Sequence, residues 1–347
     1  MHLAGLVQTV TFFAKTRKKA ATSPKPQMQA LEIGGRMSSK IYKYMGVDVF
    51  KLALEDPSIC SLKCSYPKDF NDPYELFLTI NFEQSPEMLA TYNEAIGDLP
   101  QLPTTCFSKS PGVIPMWAHY GHGHTGIVLE FDEERFSERF PNIGFGDIDY
   151  KDSPSDDLLD MLSRACYIGK PRYYYLLQRG VFSAAYYTKH SHWSYEQERR
   201  LVASDDDVEI NGNLMLLKSP SDCISAIIVG GKADEDAKGS AKELADHIGA
   251  NYLELKISRI SPNPYFVDTD GVRYKHDEDG FESYDFVCDK CGEPLREDND
   301  LCSFCAIEDY HIENAFVNNP LRMIAELGNI EEYYRSMNSV GKRNRPK

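Results

Sequence analysis

A chain of 347 residues with 42 % hydrophobic and 12 % aromatic content can bury a substantial core, and it suits one domain of roughly 200–250 residues plus a smaller appendage. No stretch approaches the ~18–20 consecutive apolar residues of a membrane span, so a cytoplasmic protein with no membrane partner is expected. A net charge of −15 argues against a surface that tracks a nucleic-acid backbone over a long footprint, because such affinity comes from Lys and Arg displacing counterions; only a local basic groove remains open to that chemistry.

Residues 3–14 are apolar but carry Gln8, Thr9 and Thr11, and the basic cluster Lys15, Arg17, Lys18 and Lys19 follows the apolar run, the reverse of a secretory signal. Residues 1–37 read as a disordered tail, with Met37 as an alternative start. The α+β main domain is expected over 38–260. It opens with a strand at Ile41-Tyr-Lys-Tyr44, a helix over 47–54 with Asp48 in its first turn, and a strand at Ser61-Leu-Lys-Cys64. Phe70-Asn-Asp-Pro-Tyr-Glu75 reads as a turn, since Asn and Asp side chains bond nearby backbone and Pro73 biases Asp72 away from helix. Thr104-Thr-Cys-Phe-Ser108 is β-prone.

The stretch from Met116 to Asp132 organises the rest. A short helix should present Trp117 and Tyr120, then a turn holding His122 and His124 leads through Gly126 into the buried strand Ile127-Val-Leu-Glu-Phe131. Glycines at a strand mouth let a ligand approach the backbone and flanking aromatics give it surfaces to stack on, so this turn is a candidate binding mouth. Further on, Ser155 should cap a helix with Leu158, Leu159 and Leu162 inward, and a tyrosine-rich helix covers 173–187. From Glu196 the chain is expected to run as a strand, whose period of two places Glu196, Glu198 and Arg200 on one face. Two carboxylates side by side repel, so a compensating cation, metal or ligand is expected. Cys223-Ile-Ser-Ala-Ile-Ile-Val229 is a buried strand, and Ala237, Ala241, Leu244, Ala245 and Ile248 mark the inner face of a helix before a strand over 252–257. Gly230-Gly231 lacks the Gly-Lys-Ser/Thr of a phosphate loop.

Residues 261–283 read as a Pro-containing acidic linker. Cys288, Cys291, Cys302 and Cys305 then form C-x2-C-x10-C-x2-C, two knuckles spaced to present four thiolates to a tetrahedral Zn²⁺. The other five cysteines show no disulfide framework, and the segment has few apolar residues, so a structural zinc ribbon over 284–310 is expected, its folding free energy supplied by the metal. A helical tail over 311–347 follows, with Asn319-Pro320 starting a helix, Gly328 ending it, and a disordered basic end.

In order, Ile41-Tyr-Lys-Tyr44, Phe70-Asn-Asp-Pro-Tyr-Glu75, Cys106-Phe-Ser108, Met116-Trp-Ala-His-Tyr120, Gly126-Ile-Val-Leu-Glu-Phe131, Trp193-Ser-Tyr-Glu-Gln-Glu-Arg199 and Ile227-Ile-Val-Gly230 resemble the mainly bacterial family called domain of unknown function 2971, over roughly residues 38–260. The same order of elements is similar to the ADP-ribosyltransferase superfamily. That resemblance implies a split mixed sheet with flanking helices, and NAD as substrate. It also implies Tyr44 with Lys43 for NAD binding, Ser108 and Tyr120 for the nicotinamide pocket, Glu198 as the catalytic carboxylate, and Glu196 as the acceptor-positioning glutamate of a Glu-x-Glu pair. The family's first strand carries His or Arg where this chain has Lys43-Tyr44. The acceptor would be a macromolecule, protein or nucleic acid, or water. Two other readings compete: a metal-dependent nuclease or phosphoesterase gathering Asp72, Glu75, Glu196, Glu198 and one of His119, His122 or His124 around Mg²⁺ or Mn²⁺, and a non-catalytic module that uses the zinc ribbon as its contact surface.

Overall fold

The computed structural model describes residues 39–343 apart from 73, 75–77, 98, 100, 142, 278 and 279, and side chains as far as 340. The expected disordered tail, Glu75 and the last residues of the basic end lie outside the described residues. The chain divides into two compact units: residues up to Ser258 together with Asn263–Ser283, and Arg259–Pro262 together with the chain from Tyr284 onward.

The first unit is built on a ten-stranded sheet. Its strands are β1 (Lys40–Met45), β3 (Thr104–Ser108), β4 (Ile127–Asp132), β5 (Gly144–Asp147), β8 (Glu198–Val202), β11 (Ile224–Val229), β12 (Asn251–Lys256), β13 (Tyr265–Asp268), β14 (Arg273–Asp277) and β15 (Gly280–Ser283). Smaller sheets use β2 (Ile59–Cys64), β9 (Glu209–Asn211) and β10 (Leu214–Pro220), and a parallel pair of β6 (Asp149–Lys151) and β7 (Thr188–His190). The large sheet runs β15-β14-β13-β12-β11-β4-β1-β3-β8-β5, and β11 with β12 is its parallel pair. It is a mixed sheet in an α+β unit.

Period-two alternation explains why its middle strands read as unbroken apolar runs, since both faces are buried. On one face Ile41, Met45, Ile127, Leu129, Phe131, Ile227 and Val229 pack with Phe50, Phe136 and the alanines Ala237, Ala241 and Ala245 of the helix Glu235–Ile248. On the other, Tyr42, Tyr44, Val128, Ala226 and Ile228 pack with Met116, Trp117, Leu253, Leu255 and Phe266. A third cluster joins the helices Pro86–Gly97, Asp156–Ile168 and Pro171–Tyr187 through Tyr92, Leu158, Leu162, Leu177 and Val181. The sheet has one weak joint: β1 and β3 are registered at a single pair, Tyr42 opposite Ser108, whereas β1 pairs with β4 along all six residues.

Residues 261–283 are not simply a linker. β13, β14 and β15 lie within them and extend the main sheet in antiparallel register from β12. Phe266 is buried and packs edge-on against Phe281, so the apolar residues of these strands extend the core.

In the second unit, β16 (Phe286–Val287) and β17 (Pro294–Leu295) pair as a hairpin, and the helices Asp309–Val317, Pro320–Glu326 and Ile330–Arg343 follow. Asn319 caps the middle helix by accepting from the Leu321 amide at 3.1 Å, with Pro320 at the first helical position, and Gly328 just beyond it has φ +74°.

Candidate functional site

Trp117 and Tyr120 come from the helix Ile114–His119 and its C-cap. They have separate jobs. Trp117 is fully buried, donates through Nε1 to the Pro111 carbonyl at 2.7 Å and stacks edge-on with Tyr44. Tyr120 turns toward the gap between β1 and β3.

Close backbone packing requires the glycines at 126 and 230. A Cβ on Gly126 would lie 2.3 Å from the Met45 carbonyl oxygen, and one on Gly230 would lie 2.3 Å from the His124 carbonyl oxygen. The two turns interlock through Gly230 N–H to the Gly126 carbonyl and Lys232 N–H to the His124 carbonyl, each 2.9 Å. His122 and His124 have positive φ, and neither they nor His119 line the cleft described next.

That cleft, of about 340 Å³, opens at the weak joint of the sheet. It brings together the residues that the ADP-ribosyltransferase resemblance singled out, Lys43, Tyr44, Ser108, Tyr120, Glu196 and Glu198, whereas Asp72 of the metal-dependent reading is not in its lining. Lys63, Asn71, Lys189 and Arg200 also line it. Lys43 spans the joint, donating to Thr105 Oγ1 at 2.8 Å and the Cys106 carbonyl at 2.7 Å; burial pulls its pKa below the usual lysine range. Tyr44 donates its hydroxyl to the Ser110 carbonyl at 2.9 Å, and the Ser108 hydroxyl donates to the same carbonyl at 3.1 Å.

The expected strand from Glu196 needs correction. Ser191–Glu196 is a 3₁₀ turn, Gln197 is in the left-handed region (φ +46°), and the strand starts at Glu198. The kink does not separate the two carboxylates. Lys189, from β7, places its Nζ 2.6 Å from Glu196 Oε2 and 3.1 Å from Glu198 Oε2. Glu196 Oε1 accepts from the Tyr120 hydroxyl at 2.6 Å, and that hydroxyl accepts from Asn71 Nδ2 at 3.0 Å. Glu198 Oε1 accepts from Arg200 Nε at 2.8 Å, while the Glu198 amide donates to the Tyr150 hydroxyl at 2.8 Å. Arg200 is fully buried, donates to the Tyr186 carbonyl at 2.8 Å and lies over the Phe70 ring.

The two acids differ electrostatically. Burial alone would raise the Glu198 pKa, but the Arg200 and Lys189 charges outweigh it and hold the carboxyl at about 2. For Glu196 burial wins over Lys189 and Tyr120, and its pKa lies above the ordinary value. Burial and the adjacent Glu196 push the Tyr120 hydroxyl up, so it stays a neutral donor. Lys189 was not legible as part of this site: nothing near Tyr187-Thr-Lys-His190 marks it, and its role depends on β7 pairing with β6, where it sits opposite Tyr150.

In the second unit the sulfur atoms of Cys288, Cys291, Cys302 and Cys305 all lie within 4.8 Å of one another, close enough to hold one metal ion. The Cys305 amide points at Cys302 Sγ (3.4 Å), and Gly292, at φ +69°, returns its amide to the Cys288 carbonyl at 2.7 Å. Among the described residues this is the one cluster of His, Cys, Asp or Glu with metal-ligand geometry.

The helix, the strand mouth, the tyrosine-rich helix and the carboxylate pair fall in one continuous block. Residues 116–201 match the model of a family described as protein of unknown function (DUF2971). This segment belongs to that family, and it carries Tyr120, Lys189, Glu196, Glu198 and Arg200. No curated protein and no solved structure matches the chain. Among the described residues no helix is long and apolar enough to cross a membrane.

Proposed function

We propose that the cleft binds NAD, cleaves its nicotinamide–ribose bond and passes ADP-ribose to a macromolecular acceptor or to water, in the manner of an ADP-ribosyltransferase. The observation that carries the reading is the meeting of Lys43, Tyr44, Ser108, Tyr120, Glu196 and Glu198 around one opening in the sheet, although they come from distant parts of the chain. Tyr120 and Tyr44 offer ring surfaces to nicotinamide, and Ser108 a hydroxyl. The bond between ribose C1′ and the ring nitrogen breaks with its electron pair leaving on nicotinamide, so positive charge builds on the sugar. Glu198, whose carboxyl is held at about 2 by Arg200 and Lys189 and is therefore ionised at neutral pH, faces that charge. The acceptor oxygen or nitrogen then bonds C1′ and gives up its proton. Glu196, with its raised pKa, is suited to receive it.

A metal-dependent phosphoesterase gains no support from the same geometry, because the Lys189 ammonium occupies the place between the carboxylates where a divalent ion would sit. In the second unit, zinc is the metal the four thiolates suit best, in a closed structural site.

The test is nicotinamide release from NAD by the full chain, with NAD binding followed separately by calorimetry. Wild-type protein should release nicotinamide, and Glu198→Gln should bind NAD while release falls by about 10²–10³-fold, the usual effect of losing one preorganised group. Full release by the variant, or no NAD binding by the wild type, would overturn the reading.

A further inference from the structure

We infer that Lys189 is a positioning residue that holds Glu196 and Glu198 in one cleft as two ionised groups. The inference deepens the NAD-cleaving reading by naming the cation on which its two acids depend, but its test does not require that activity.

Glu196 and Glu198 are 4 % and 3 % exposed, and both reach one ammonium. Two like charges this close and this poorly hydrated cannot both persist without a cation between them; otherwise they share a proton. Each carboxylate has a private partner, Tyr120 for Glu196 and Arg200 for Glu198, and Lys189 is the group that bridges them. Its own placement is fixed: the side chain is 5 % exposed, Nζ lies 4.9 Å from the centre of the Trp193 ring, and its backbone pairs with Tyr150 on β6.

The surroundings supply little else to balance the acids. Tyr120 reaches them from the end of the helix Ile114–His119, Tyr150 from β6, Cys106 from β3 and Tyr195 from the 3₁₀ turn. Burial raises the pKa of all four, so they stay neutral. Among the described residues the other basic side chains at the cleft are Arg200 on β8, which bonds Glu198 and the Tyr186 carbonyl, Lys43 on β1, which donates across the joint of the sheet and acts on Glu198 at longer range, and Lys63 on β2, which lines the opening; Glu196 has its ion pair with Lys189. Glu196 therefore depends on Lys189 for charge balance. This gives the lysine a function distinct from filling space: it sets which protonation states the pair can reach.

The experiment compares Lys189→Met, which keeps length and apolar stem but deletes the charge, with Lys189→Arg, which keeps the charge. Glutamate side-chain carboxyls are titrated by carbon NMR, with Glu196→Gln and Glu198→Gln providing assignments. In Lys189→Met, one carboxyl of the pair should take up its proton about one pH unit or more higher than in the wild type, as a pair sharing a proton does. Lys189→Arg should restore the wild-type titration. Unchanged titration in Lys189→Met would overturn the inference. Thermal unfolding of the double variant Lys189→Met/Glu196→Gln is the second reading, and it applies even where Lys189→Met alone is too unstable to titrate. With one carboxylate removed, Glu198 keeps Arg200 and its like-charged partner is gone, so the double variant should melt above Lys189→Met. A double variant that melts at or below the single one would show that Lys189 serves packing alone, and would leave the NAD reading untouched.

Discussion

Acid should weaken the first unit through Glu198 in particular. Its carboxyl has an ordinary value of 4.5 and is held at about 2 in the folded chain by Arg200 and Lys189, against the opposing effect of burial. The difference, at ~1.36 kcal/mol per pH unit, corresponds to about 3 kcal/mol of stability. The folded state binds this proton less readily than the unfolded one, so the contribution is fully present above about pH 4.5 and is lost as pH falls toward about 2. Glu196 acts with the opposite sign. Its folded pKa is raised, so it favours the folded state at low pH and loses that contribution as pH rises through its folded value. Urea midpoints measured from about pH 6 down to about pH 2.5 should therefore fall more steeply for the wild type than for Glu198→Gln, by up to about 3 kcal/mol across the window. Parallel acid limbs in the two proteins would refute the assignment of Glu198 as a strongly ionised, doubly paired group.

Glu196→Gln should spare slow NAD hydrolysis while impairing transfer to an acceptor, because water needs no positioned deprotonation of a side chain; product analysis by mass spectrometry separates the two outcomes. Protein purified under reducing conditions without chelator should carry one zinc per chain by elemental analysis, and stripping it should abolish structure around Cys288 and Cys302 while the first unit still unfolds cooperatively on heating. Gly126→Ala should cost about 1–3 kcal/mol by denaturant unfolding, since the added methyl meets the Met45 carbonyl oxygen at 2.3 Å and the Gly121 carbonyl oxygen at 2.8 Å, backbone atoms that cannot swing away.

The sequence made the middle of the sheet plain, because Ile127-Val-Leu-Glu-Phe131 and Ile224–Val229 are buried on both faces and need no alternation to be recognised. The cysteine spacing was as informative, since knuckle geometry is local. Two failures have a common cause. β13 to β15 were hidden because short strands near a sheet edge show their solvent side as a run of charge, and the inward Phe266, Tyr274 and Phe281 become meaningful only once β12 is there to pair with. The break at Gln197 was hidden because a left-handed backbone at a residue other than glycine follows from what surrounds it: Lys109 donates its amide to the Gln197 carbonyl at 2.9 Å, and the Ser191–Glu196 turn precedes it.

The position of the cleft follows from strand order, which no local pattern encodes. β1 lies between β4 and β3, bonded along its whole length to β4 and at one pair to β3, so the sheet parts on one side of β1. A parted sheet exposes polar groups that a continuous ladder would satisfy, and burying them bare would cost several kcal/mol. Lys43 and Tyr44 answer that need, donating to the carbonyls of Cys106 and Ser110. The opening is therefore polar by construction. β8, paired to the far side of β3, brings Glu198 and Arg200 to its wall, with Ser108 directly opposite Glu198. A site made this way tolerates charge that the rest of the core could not, which explains how two acids and their cations sit behind an otherwise apolar sheet.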